Sequence, residues 1–101
     1  MARFAILVSE SVKSDLQTLR AYDRRMLLDA IETQLAHAPH TATKNRKLLR
    51  NLTPPFEATP PIWQLRVGAF RVFYDVEAEV RRVYIRAIRR KPAHHHTEEI
   101  L

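Results

Sequence analysis

The chain has 101 residues, 46% of them hydrophobic, enough for one domain with its own core and too few for two ordinary ones. It contains no cysteine, which excludes disulfides and thiolate chemistry. No apolar run approaches the roughly 20 residues of a membrane-spanning helix. The formal charge is +6, and residues 1–38 contribute nothing to it, with five Lys or Arg against five Asp or Glu. The excess therefore lies in the second half, where it favours nucleic acid as a polyanionic partner, with an acidic protein the alternative, and without a spanning run no membrane association is expected. The first residues, MARFAILVSES, lack the apolar length and small-residue cleavage site of a secretory signal, so a cytoplasmic location is expected.

Phe4, Ile6 and Val8 alternate as in a half-buried strand. Ser9 or Ser11 can cap the following helix, which places Val12, Leu16 and Leu19 on one face. The pattern breaks at Ala21 and Tyr22, and Asp23 is the expected cap of a second helix. Its apolar stripe is Leu27, Ala30, Ile31, Leu35 and Ala38, ended by Pro39. From His40 to Pro61 no period is evident, and four prolines occur, Pro54, Pro55, Pro60 and Pro61. Within this connection TKNRKLLRNL predicts a short turn of helix carrying Lys44, Arg46, Lys47 and Arg50, all candidates for phosphate contacts.

WQLRVGAFRVFY, residues 63–74, reads as a hairpin. Trp63, Leu65 and Val67 alternate in its first strand and Phe70, Val72 and Tyr74 in its second, leaving Arg66 and Arg71 on the opposite face. Gly68, the only glycine, sits at the reversal, where a tight turn needs a positive φ. After a turn at Glu77, Ala78 and Glu79, residues 80–90 predict a last strand. Strict alternation puts Val83, Ile85 and Ala87 on one side, and Arg82, Tyr84, Arg86, Ile88 and Arg90 on the other, beside Arg66 and Arg71. The expected fold is α+β, a single domain over 1–101 in the order β-α-α-β-β-β, with a mainly antiparallel sheet packed by a helical hairpin. Residues 91–101 are expected as a tail or short helix.

The sequence has no glycine-rich phosphate loop and no cysteine-based metal cluster. Neighbouring side chains diverge along a strand, so His94, His95 and His96 make a poor single metal site, and neither metal nor cofactor is expected. A titrating imidazole beside arginines can instead exchange protons near neutral pH. Arginine there stabilises charge developing on a phosphate.

The element order together with LRVGAFRVFYDV and the basic ending IRAIRR resembles the RelE/ParE superfamily of bacterial toxins from type II toxin–antitoxin pairs, across nearly the whole chain. The resemblance implies a small toxin neutralised by a cognate antitoxin, with operator DNA reached through the complex. RelE-like members enter the ribosome and cut mRNA by attack of a 2′-hydroxyl on the neighbouring phosphate, whereas ParE-like members inhibit DNA gyrase and are not nucleases. The resemblance favours the first activity, and a decayed toxin that only binds antitoxin is a further alternative. It assigns Arg71 and Arg90 to charge stabilisation during cleavage and His96 or His95 to proton transfer. Lys44, Arg46, Lys47, Arg50, Arg66, Arg86 and Arg89 become RNA-binding candidates. Ile62 and Gln64 stand where RelE-like toxins carry lysines, and neither can take a proton.

Overall fold

The computed structural model describes residues 3–50 and 53–91. The carboxy-terminal residues, including His94, His95 and His96, lie outside the described residues. Strand β1 (Ala5–Val8) leads into helices α1 (Glu10–Gln17) and α2 (Ala21–Leu35), followed by strands β2 (Arg46–Leu49), β3 (Ile62–Val67), β4 (Phe70–Glu77) and β5 (Arg82–Arg90). The sheet order is β1-β5-β4-β3-β2, with β1 parallel to β5 and the other neighbours antiparallel. No helix among the described residues is long and apolar enough to cross a membrane.

Ser9 is the cap of α1, its hydroxyl accepting from the Val12 amide at 3.3 Å. Helix α2 begins two residues before the expected cap, because Asp23 is already inside its first turn and accepts from the Arg20 guanidinium at 3.1 Å. A carboxylate there also complements the positive end of the helix dipole. Val12, Leu16, Leu27, Ile31 and Leu35 pack on one face of the sheet against Trp63, Leu65, Val67, Phe70, Val72, Tyr74, Val83, Ile85 and Ile88. The Tyr74 hydroxyl donates to the Pro39 carbonyl at 2.6 Å, so the polar end of a buried ring is satisfied and the end of the helical layer is tied to the sheet. Burial pushes the Tyr74 phenol above its ordinary pKa.

Two departures from simple periodicity shape the other face. The basic connection does not form a helical turn; Arg46–Leu49 is an edge strand paired with β3, so the sheet has five strands. In β5 strict alternation fails, because Phe73 pairs with Ala87 while the next residue, Tyr74, pairs with Ile85. Arg86 is thus the extra residue of a β-bulge. Beyond it Ile88 returns to the helix face and joins the main core, while Ala87 joins Ile62 and Phe73 in a second cluster on the opposite face. Phe56 and Ala58 of the proline-rich connection cover that second cluster.

Arg86 Nε donates to Asp75 Oδ2 at 2.7 Å and Nη2 donates to Oδ1 at 3.3 Å, with the side chains 18% and 4% exposed. The Thr59 amide donates to the same carboxylate at 2.9 Å. Replacing Asp75 with Ala leaves a largely buried guanidinium without its counter-charge, and chemical denaturation is expected to show a loss of about 3–5 kcal/mol. Gly68 has φ of 56°, and among the described residues a Cβ added there would meet nothing closer than Met26 Cε at 4.0 Å. The cost of Gly68→Ala is therefore conformational rather than steric. It is expected at about 1–2 kcal/mol in thermal unfolding, with Gly68→Asn losing less.

Candidate functional site

Strand pairing, rather than loop placement, assembles the cations. Arg66 of β3 stands directly opposite Arg71 of β4, and Arg71 directly opposite Arg89 of β5, so three arginines form one row across the face away from the helices. One strand spacing separates each from the next, about 4.8 Å. Lys47 is paired with Gln64 in the neighbouring row. A cleft beside the hairpin is lined by Lys44, Asn45, Lys47, Gln64, Arg66, Arg71 and Lys91, with no carboxylate among the described residues that line it.

Arg71 is anchored by its own turn. Its Nη1 donates to the Gly68 carbonyl at 2.9 Å and to the Phe70 carbonyl at 2.8 Å. This directs one side of the guanidinium into the backbone and turns the Nε and Nη2 edge away from it. That edge has the planar fork that binds two oxygens of a phosphate or carboxylate. Burial, and then the neighbouring Arg66 charge, lower the pKa of Arg71. Arg66 is held by Asn45, whose side-chain oxygen accepts from its Nη2 at 3.3 Å and whose carbonyl accepts from its amide at 2.8 Å. Like charges directly opposite across strands repel, so an anion between them relieves a cost built into the fold.

Of the sequence-predicted contacts, Lys44, Lys47, Arg66 and Arg71 meet in this cleft. Arg46 does not: its position opposite Leu65 faces the helices, and it donates to the carbonyls of Thr41 and Gln34. Arg50 is exposed beyond the end of β2 and does not line the cleft. Arg86 is held by Asp75 and stacked over the Tyr84 ring at 4.7 Å, a pairing that braces the sheet, and it does not line the cleft.

The bulge also corrects the placement of Arg90 beside Arg71. Arg90 is opposite Phe70 on the helix face, with its guanidinium 4.4 Å from that ring and 3.6 Å from Asp23. Hydrogen bonding from Arg20, strengthened by the Arg20 and Arg90 charges, keeps Asp23 below its ordinary pKa despite the opposing effect of burial. Arg89 is the member of the basic pair whose backbone faces Arg71. Two lining residues, Asn45 and Lys91, were not singled out from sequence. Each adjoins a basic run, and Lys91 is fixed to the hairpin turn by its amide, which donates to the Ala69 carbonyl at 2.7 Å.

The lysine-to-Ile62 and lysine-to-Gln64 departures have a structural basis. Ile62 is 1% exposed within the second apolar cluster, beneath the proline-rich connection, where an ammonium would be buried. Gln64 is 5% exposed in the cleft floor. The described part of the cleft therefore offers fixed positive charge for binding and charge stabilisation, with three lysines and two arginines.

A family model for the ParE toxin of type II toxin–antitoxin systems matches residues 6–91. Among solved structures, the RelBE2 toxin–antitoxin complex of Mycobacterium tuberculosis contains a chain similar at TM-score 0.62 and 18% identity, with 83% of this chain and 93% of that one covered. The RelE–RelB complex of the archaeon Pyrococcus horikoshii OT3 contains another, at TM-score 0.57 and 22% identity, with 81% and 88% covered. No curated protein sequence gives a significant match. The structural likenesses establish a shared fold, and the sequence match establishes descent: the chain belongs to the ParE toxins of type II toxin–antitoxin systems, within the RelE/ParE superfamily.

Proposed function

We propose that this toxin cleaves mRNA at the ribosome and is held inactive by a cognate antitoxin. The observation that supports it most is the Arg71 fork, oriented by the hairpin and set beside Arg66 in a cleft whose described lining residues carry only positive charge. In the proposed reaction the 2′-hydroxyl loses its proton as its oxygen attacks the adjacent phosphorus. The bond to the 5′-oxygen breaks, that oxygen takes up a proton, and a cyclic phosphate remains. Negative charge builds on the non-bridging oxygens during attack, and a guanidinium already in place stabilises it without reorganising. Lys44, Lys47 and Lys91 hold the neighbouring phosphates, while proton transfer is assigned to His95 or His96. The partner protein is an antitoxin, as in the two RelB-containing complexes, and the complex is the form that reaches operator DNA.

Purified toxin added to a translation reaction should generate new message ends detectable by primer extension. Arg71→Ala should slow their appearance about a hundredfold or more. Translation arrest without new ends would overturn the nuclease assignment. A second reading, inhibition of DNA gyrase, is favoured by the ParE family match and by the burial of Ile62 and Gln64 where RelE-like toxins carry lysines. Inhibition of supercoiling by toxin that leaves mRNA intact would select it.

Anion binding itself has a separate signature. Inorganic phosphate at ten times its dissociation constant should stabilise the folded toxin by about 1.4 kcal/mol in thermal unfolding. The Arg66→Gln/Arg71→Gln double variant should lose most of that increment at matched ionic strength.

A further inference from the structure

The two edges of the sheet differ in how they are guarded. At β2 the outward backbone groups of Arg46 are taken up by its own chain: the Thr43 amide donates to the Arg46 carbonyl at 2.9 Å, and the Arg46 amide donates to Thr43 Oγ1 at 3.2 Å. Arg46 and Lys47 also charge that strand, a common guard against pairing with another chain. Strand β1 has no such guard, being AILV, without a charge or a proline. Its Ala5 amide and the following Ser9 amide donate inward, to the Arg81 and Ile85 carbonyls at 2.8 and 3.5 Å, so by alternation the amides and carbonyls of Ile6 and Val8 point outward. The Ala36 carbonyl accepts from the Phe4 amide at 2.7 Å, but among the described residues nothing bonds to the outward groups of Ile6 and Val8. Between them Leu7 is 42% exposed, while Ile6 and Val8 pack their side chains on the main core.

We propose that β1 pairs antiparallel with β1 of a second copy of this chain, joining the two five-stranded sheets into one. An open strand edge is satisfied by another extended backbone, and the two-fold axis of a homodimer makes the same strand its own complement. With Leu7 on the axis, Ile6 of each copy exchanges both backbone bonds with Val8 of the other. The two Leu7 side chains then stand directly opposite in a non-hydrogen-bonded pair, their Cα atoms about 4.5 Å apart, and cover each other's exposed surface. Charge favours both this occupant and this direction. Arg3 precedes the strand and Glu10 follows it, so antiparallel copies set each Arg3 near the other's Glu10, where parallel copies would set like beside like. Residues 1–38 carry no net charge while the rest carries the whole +6, so copies meeting at β1 bring electrically balanced segments together. The basic clefts, beside β2 and β3, lie toward the two far ends of the joined sheet and stay open. The pairing is therefore independent of the toxin's cellular target.

The test uses purified full-length toxin in sedimentation equilibrium, with backbone amide exchange read by NMR on the same samples. With rising concentration the mass should pass from the 11.8 kDa of one chain to twice that value, and exchange at the Ile6 and Val8 amides should slow in parallel. Leu7→Lys sets two like charges on the axis and removes the apolar contact, so it should weaken dimerisation roughly a hundredfold, as should Leu7→Glu. An equimolar mixture of these two variants should dimerise again, because Lys then faces Glu across the axis. That rescue also separates a lost interface from a lost fold. Tyr22→Lys, at a position 71% exposed on α2, should leave association unchanged.

An unaltered chain that stays monomeric at the concentrations used for NMR would overturn the proposal. Dimers that persist in Leu7→Lys, fail to re-form in the mixture, or dissociate with Tyr22→Lys would place the contact elsewhere and overturn it too. Protection of Ile6 and Val8 that appears only when an antitoxin is added to monomeric toxin would assign the edge to that protein instead of a second copy.

Discussion

The buried pair of Asp75 and Arg86 governs both faces of the sheet. A bulged residue has no opposite partner in the ladder, and a guanidinium only 18% exposed is costly unless a carboxylate and good hydrogen-bond geometry accompany it. Asp75 supplies both and also receives the Thr59 amide, so one carboxylate fixes the bulge in β5 and secures the proline-rich connection. From that bulge onward the strand changes phase. Ile88 enters the main core, Arg90 lies over Phe70, and Arg89 comes opposite Arg71. Without the phase change, Arg90 would occupy the cleft-side row and Arg89 the helix side.

The secured connection also divides the second face. Phe56 and Ala58 cover Ile62, Phe73 and Ala87, making one part apolar and closed. The remaining part contains the basic cleft. This division explains how a sheet can be buried on its helix side, partly buried on the other, and still present a fixed array of cations. The apolar residue at position 62 of β3 follows from the same packing, since it belongs to the closed part.

Much of this architecture was legible in local patterns. Alternation identified the hairpin and put Arg66 and Arg71 together, and a serine before an apolar helical stripe located the start of α1. Strand β2 was obscured because RKLL contains two cations and no clean alternation. Arg46 takes a helix-facing position there only because the Thr41 and Gln34 carbonyls accept from it, a compensation made by distant chain. The bulge left a local trace in the adjacent apolar residues Ala87 and Ile88. Choosing between a bulge and an ordinary alternation required knowing that Asp75 lay across the sheet to receive Arg86. The start of α2 was similarly displaced by an interaction, the Arg20 to Asp23 pair, rather than by a change in apolar spacing.

On the proposed function, the cation row gives inhibition and activity a common electrostatic basis. Arg66 and Arg71 oppose one another, and burial makes the Arg71 charge less favourable still. Either a phosphate or an antitoxin carboxylate relieves that repulsion, and the same Nε and Nη2 fork suits both. On that proposal, an acidic antitoxin segment seated on this face would exclude RNA by occupying the group that RNA requires, without having to deform the fold.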